Sequence, residues 1–184
     1  FFTSHQRRSV KTLSRKEDAK KFLGVRKDPH TSLDPRNPVT FGPYMNDPDL
    51  INNKYQLHVA HEAAARVFDE VVIEFEQLTG RSYKRLEAYK CEDADVALFV
   101  LNSAAETAMD AVDRLRAEGK KVGLIKPHLL RPFPSVELQK ITHRIPVVVI
   151  AERSDTPGSS GGPLSHEVRS ALLADHHCDV QAIS

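Results

Sequence analysis

Tryptophan is absent, and so is any long apolar run. Two cysteines and two methionines stand among 184 residues, and neither methionine is residue 1. Each shortage excludes something. Without Trp, no stacking platform can rest on the largest aromatic ring. Two thiols, Cys91 and Cys178, cannot build a four-cysteine cluster or a disulfide-rich scaffold. The longest strongly apolar stretches, such as Val96 to Leu101, are strand-sized. A bilayer-spanning helix needs ~20 such residues. The opening Phe1-Phe2-Thr3-Ser4-His5 fits neither a signal nor a transit pattern. Net charge is +1, from 26 Lys/Arg and 25 Asp/Glu, which excludes a nucleic-acid binder acting through bulk charge. Hydrophobic residues make up 40%, enough for a core.

The charge is uneven. Residues 1–30 hold nine Lys/Arg against three Asp/Glu, leaving 17 against 22 for the rest. The first stretch reads as a solvated linker and short helix rather than a basic arm. A helix is expected over Ser14 to Leu23, with Ser14 and Glu17 as a capping box. Gly24 to Asn53 follows, punctuated by Pro29, Pro35, Pro38, Pro43 and Pro48. So long an irregular segment suits a linker wrapped on a neighbouring domain. Lys54 to Thr79 is helical in period, through Leu57, Ala60, Ala64, Val67, Val71, Phe75 and Leu78, and Gly80 stops it. Its apolar middle predicts burial on more than one side.

After Gly80 strands and helices alternate. Strands are expected over 86–89, 96–101, 122–125, 146–151 and 178–183. Helices are expected over 104–118, 135–141 and 162–173, with Ala108, Ala111, Val112 and Leu115 of the first facing inward. Near-continuous Val/Ile/Leu strands between helices predict a mostly parallel sheet covered on both faces, a three-layer α/β/α fold. Residues 1–53 read as the end of a preceding domain with its linker, and 54–184 as the α/β domain. The chain stops at a strand end, so both termini read as cuts.

Several loops are candidates for chemistry. Ser154 to Pro163 lies between a strand and a helix, where open α/β sheets bind ligands. Its glycines Gly158, Gly161 and Gly162 would let backbone amides reach a phosphate. Neither nucleotide fingerprint is met, and a flexible connector at a domain interface explains the loop better. Asn102 or Ser103 is expected to cap the next helix; a nucleophilic Ser103 lacks an identifiable base. Arg131-Pro132-Phe133-Pro134 is stiff, and Arg131 either holds an anion or braces the loop. His58 and His61, and His176-His177 beside Cys178, fall short of a metal ligand set.

Two segments carry a resemblance. One is Tyr89-Lys90-Cys91-Glu92-Asp93-Ala94-Asp95-Val96 with the following strand, Asn-Ser and helix. The other runs Ala111-Val112-Asp113-Arg114-Leu115-Arg116-Ala117-Glu118-Gly119-Lys120-Lys121-Val122-Gly123-Leu124-Ile125 and on to Pro134. They resemble core domain II of pyruvate:ferredoxin oxidoreductase and related 2-oxoacid:acceptor oxidoreductases. Glu152-Arg153, Gly158 and Gly161-Gly162-Pro163 resemble that domain's next strand end and loop. Asn102 stands where relatives usually have Gly, and Ala151-Glu152 replaces a more usual Leu/Asp-type pair.

The resemblance implies an alpha-chain domain like the transketolase C-terminal domain. The whole enzyme would decarboxylate a 2-oxoacid on thiamine diphosphate and Mg, pass electrons through 4Fe-4S clusters to ferredoxin, and load the acyl group on coenzyme A. No catalytic or cofactor-binding residue and no metal ligand is carried over to this chain. The expected role is structural, with other domains or subunits of the oxidoreductase as partners, no nucleic acid and no membrane, in the cytoplasm. Arg131, Phe133, Arg153, Gly158, Gly161 and Gly162 are the candidate interface or ligand-rim residues. The rival expectation is a small phosphate- or coenzyme A-binding Rossmann-like module without redox activity.

Overall fold

A computed structural model describes residues 13, 15–25, 35, 36, 38, 45–173 and, as backbone, 181–183. The chain divides into two compact units, one holding Arg8–Ser82 and the other Tyr83–Ser184.

The first unit contains two helices, α1 (Lys16–Leu23) and α2 (Asp49–Thr79). Helix α1 starts at Lys16 with Arg15 at its cap and no side-chain cap bond there; Ser14, on which the expected capping box rests, lies outside the described residues. Phe22 of α1 meets Phe75 of α2 at 5.8 Å between ring centroids. Helix α2 has 31 residues and begins five earlier than the period predicts, directly after Pro48. It ends as expected: Gly80 takes φ 68° and donates its amide to Glu76 O. The expected burial on several sides is corrected. No residue of α2 is buried in this chain, and Ile51, Tyr55, Leu57 and Ile73 are more than half exposed.

The second unit is a five-stranded sheet with helices on both faces. Its elements are β1 (Leu86–Tyr89), β2 (Val96–Val100), α3 (Ser103–Ala117), β3 (Val122–Pro127), α4 (Ser135–Thr142), β4 (Val147–Ala151), α5 (Pro163–Leu173) and β5 (Gln181–Ile183). The strand order is β1-β3-β2-β4-β5. Only β1 is antiparallel, pairing Leu86 with Pro127 and Tyr89 with Leu124. Alternation along the strands sorts side chains to two cores. Ala97, Phe99, Ile125, Val148 and Ile150 pack with Leu138, Leu164, Val168 and Leu172 of α4 and α5. Val100 and Leu124 pack with Ala105 and Val112 of α3 on the other face. The three-layer α/β expectation therefore holds. Within α3 the inward stripe runs through Ala105, Ala108, Met109 and Val112, while Ala111 is exposed, one helical step from its expected side.

The next position on that stripe is Arg116, and it acts as a clamp. Its Nε donates to Val122 O at 2.7 Å, one terminal nitrogen to Asp93 Oδ1 at 2.7 Å and the other to Lys90 O at 2.6 Å. The fork thus joins the end of α3, the β1–β2 turn and the start of β3. Beside it Lys90 Nζ and Tyr89 OH both reach Asp113 Oδ1 at 2.6 Å. Cys91 is buried, its thiol donating to Leu124 O at 3.4 Å, and desolvation pushes its pKa up to about 11. A Cβ on Gly123 would stand 2.8 Å from Cys91 Sγ and 2.9 Å from Lys90 O, so only glycine lets this turn close on β3. Across the β1–β3 pair, Lys126 meets Glu87 at 3.0 Å and Glu106 of α3 at 2.9 Å. Burial pulls the Lys126 ammonium downward, but these two carboxylates outweigh it and the net shift is upward. No described helix is long and apolar enough to cross a membrane.

Arg116→Met keeps the side-chain stem and removes the fork. It is expected to lower the stability of the full chain by about 2 kcal/mol. Urea unfolding would read this as a lower midpoint at unchanged slope. Arg116→Lys should recover only part of the loss, because an ammonium cannot serve three divergent acceptors in one plane. Equal midpoints for all three proteins would refute the clamp.

Candidate functional site

The crossover from β2 through α3 runs over one face of the sheet, and that from β4 through α5 over the other. The strand order therefore reverses between β2 and β4, and a crevice opens beyond their C-terminal ends, where such sheets bind ligands. A cleft of about 810 Å³ lies there. Val100, Leu101, Asn102, Ser103 and Ala104 form one side, Ala151 to Ser154 with Pro163 and Leu164 the other, and Leu130, Arg131 and Glu167 the rim.

The α5 side is held by Glu152. Its Oε2 accepts from the Leu164 amide at 2.9 Å, and its Oε1 from the Ser165 amide at 2.9 Å and Ser165 Oγ at 2.7 Å. The carboxylate occupies the anion position that a helix N-terminus offers. Burial alone raises its pKa, but Ser165 Oγ and the amides of Ser165, Leu164 and Gly162 outweigh it and hold the carboxyl below its usual range. Gly162 is packed so closely that a Cβ would lie 2.3 Å from Ser154 O and 2.5 Å from Glu152 Cδ.

The glycine loop is tied to α5 at Ser159 and Ser160. Ser159 Oγ and His166 Nε2 are 2.8 Å apart, and Arg169 donates to Ser160 O at 2.6 Å. Gly158 (φ 80°) and Gly161 (φ 140°) take turn conformations that side chains resist. The amides expected to cradle a phosphate at the start of α5 already serve Glu152.

The α3 side differs. Asn102 takes φ 56°, ψ −139°, a region that glycine enters at least cost, and its side chain makes no cap bond. This corrects the expected side-chain cap and explains why glycine suits the position. The Ser103 hydroxyl has no hydrogen bond among the described residues, so no base activates it. Helix α4 begins with Ser135, directly after Pro134.

Of the rim candidates, Arg131 donates to Glu167 Oε1 at 2.6 Å, tying its loop to α5. Phe133 is half-buried against Phe99, with centroids 6.3 Å apart. Arg153 is exposed on the cleft without hydrogen bond or ion pair among the described residues. Thus Arg131 and Arg153 meet at the cleft, while Gly158, Gly161 and Gly162 do not line it and Phe133 points to the core. Sequence reasoning missed Glu152 as a helix cap and Glu167 as the partner of Arg131. An acidic residue just past a strand, ahead of a Gly-Gly-Pro helix start, is the signal that was there to read.

A cluster of iron and sulfur usually needs four thiolates. This chain has two cysteines, and Cys91 is buried with a raised pKa, so the donor set does not fit one. Among the described residues no three His, Cys, Asp or Glu side chains gather as metal ligands. His58 instead faces Glu62 on α2 at 3.4 Å; His176, His177 and Cys178 lie outside the described residues.

Glu152 sets a sign for acid stability. Its folded pKa is lowered, so its contribution is complete above the unfolded value of about 4.3 and fades as pH falls through the folded value. Glu152→Gln should lower stability near neutral pH and flatten the acid limb of a stability–pH curve; an unchanged limb would contradict the cap. Asn102→Gly should remove the backbone strain and raise the thermal midpoint by about 2–4 °C, net of the glycine's extra unfolded freedom. A lower midpoint would show that Asn102 is not strained.

The profile of the family described as pyruvate:ferredoxin oxidoreductase core domain II matches residues 94–184. Pyruvate synthase subunit PorA of Thermotoga maritima is 38% identical over 156 residues, covering 85% of this chain and 40% of that subunit. Ketoisovalerate oxidoreductase subunit VorA of Pyrococcus horikoshii is 35% identical over 162 residues, covering 88% and 41%. The chain thus spans about two-fifths of the length of these relatives. Among solved structures, the 2-oxoglutarate:ferredoxin oxidoreductase of Magnetococcus marinus with 2-oxoglutarate, coenzyme A and succinyl-CoA bound aligns at 24% identity and a TM-score of 0.42, over 66% of this chain and 20% of that one. Residues 94–184 are a core domain II of the pyruvate:ferredoxin oxidoreductase family, and the chain is homologous to the alpha subunits of 2-oxoacid:ferredoxin oxidoreductases.

Proposed function

We propose that this chain serves as the structural and interface domain of a thiamine-diphosphate-dependent 2-oxoacid:ferredoxin oxidoreductase. The complete enzyme would oxidatively decarboxylate a pyruvate-like 2-oxoacid to an acyl-CoA and reduce ferredoxin, in the cytoplasm. Residues 1–53 then act as the end of a preceding domain and its linker, and the α/β domain, built like the C-terminal domain of transketolase, packs against the thiamine-binding domains. The loops at Arg131 to Phe133 and at Arg153 to Gly162 are the parts assigned to the interface. The observation that carries this reading is where the family-bearing residues go. Tyr89 to Asp93 and Asp113 to Gly123 bond to one another at the N-terminal ends of the strands, with Arg116 and Asp113 committed to backbone and side chains of the same domain. They support a fold and leave no side chain there arranged to attack a substrate. The rival phosphate-binding module needs the amides at the start of α5, and Glu152 holds them.

The test is anaerobic purification of the tagged chain from its own host. The expected result is a complex with the other parts of the oxidoreductase that reduces ferredoxin only when a 2-oxoacid and coenzyme A are both supplied. A chain that purifies without such partners, and without this activity on pyruvate, 2-oxoisovalerate or 2-oxoglutarate, refutes the reading.

A further inference from the structure

Four ionisable side chains line the switch-point cleft: Arg131, Glu152, Arg153 and Glu167. Three are committed within the domain. Arg131 and Glu167 pair at 2.6 Å, and Glu152 holds the start of α5 through both carboxylate oxygens. Arg153 alone of the four has no hydrogen bond or ion pair among the described residues.

The formal charges of the four cancel, so no net field draws a polyanion into the cleft, and its two carboxylates oppose one. A single carboxylate is different. It matches the planar guanidinium fork of Arg153 and meets little repulsion, since the Glu152 charge is already matched by amide and hydroxyl donors. Beside the polar Asn102, Ser103 and Ser154, the remaining wall is apolar, through Leu101, Ala104, Leu130, Ala151, Pro163 and Leu164. A volume of about 810 Å³ falls within the ~300–1,000 Å³ of small-molecule sites. Its position beyond the ends of β2 and β4 is where this architecture accepts ligands.

We propose that the cleft is a binding site for a small organic monocarboxylate with an extended apolar body. The carboxylate pairs with Arg153, and the body lies along Leu101, Leu130 and Leu164. The cleft shares Arg131 and Arg153 with the loops assigned above to the interface, and titration of the chain alone tests it separately from that role. The cleft disfavours diphosphates and the phosphate end of a nucleotide-like cofactor, because two carboxylates line it and each is held in place by its own partners.

Hexanoate is the probe, with hexanamide as its uncharged counterpart and inorganic pyrophosphate as the polyanion. Titration of the full chain is followed by the NMR shifts of the Leu101, Ala104 and Leu130 amides. Hexanoate is expected to saturate these shifts. Hexanamide, and hexanoate with the Arg153→Gln variant, are each expected to bind about tenfold more weakly or worse. Pyrophosphate is expected to leave the three amides unmoved. Because Arg153 makes no bond inside the described fold, its replacement leaves the domain intact. Failure of hexanoate to saturate up to tens of millimolar, equal binding by Arg153→Gln, or pyrophosphate binding as tightly as hexanoate overturns the proposal.

Discussion

The Glu152 carboxylate sits where β4 gives way to α5, and one wall of the cleft and its rim take their positions from it. It satisfies amides at the start of the helix that would otherwise be buried without partners. It fixes the direction in which α5 leaves the sheet, and with it Glu167, which holds Arg131 and the loop before α4. It also supplies from within the chain the negative charge that a bound phosphate supplies in many α/β proteins. The same contact that shapes the crevice thus determines what the crevice can accept. Arg153, the next residue along, is left facing solvent because its neighbour has taken the structural position.

At the other end of the strands Arg116 plays the matching part. The residues through which the chain resembles its family are largely those that this guanidinium gathers: Lys90, Asp93 and Val122, with Cys91 and Gly123 closing the same turn. A planar fork serving three divergent acceptors tolerates little change in any of them. Recognisable sequence can therefore mark the part of a domain that holds the fold, while the ligand-facing end stays free to vary. Asn102 and Glu152, two departures from the usual family pattern, both lie at that freer end.

Much of the second unit was legible, because strands buried on both faces read as apolar runs and helices as a period of 3.6. β1 falls on its expected residues, and α3 and α5 each start within one of theirs. The sheet's two-sided burial followed from the same pattern. What could not be read depends on contacts distant in sequence. Glu152 meets its donors 12 and 13 residues later, and Arg131 finds Glu167 across 36. No local spacing announces either. The early start of α2 was hidden by Pro48, taken as one more turn although proline is common where helices begin. The apolar middle of α2 looked like a core element because periodicity reports which side of a helix is apolar, not what covers it.

The crowding at Gly162 imposes an order on how this loop can change through descent. A side chain there would meet the Ser154 carbonyl oxygen as well as the Glu152 carboxylate. Losing the carboxylate does not open the position, since a main-chain oxygen remains whichever residue stands at 154. A change at 152 therefore costs the helix cap but leaves the glycine still required. Replacement of the glycine requires the loop itself to be rebuilt. On steric grounds the glycine is the stricter requirement of this loop, whatever residue stands at 152.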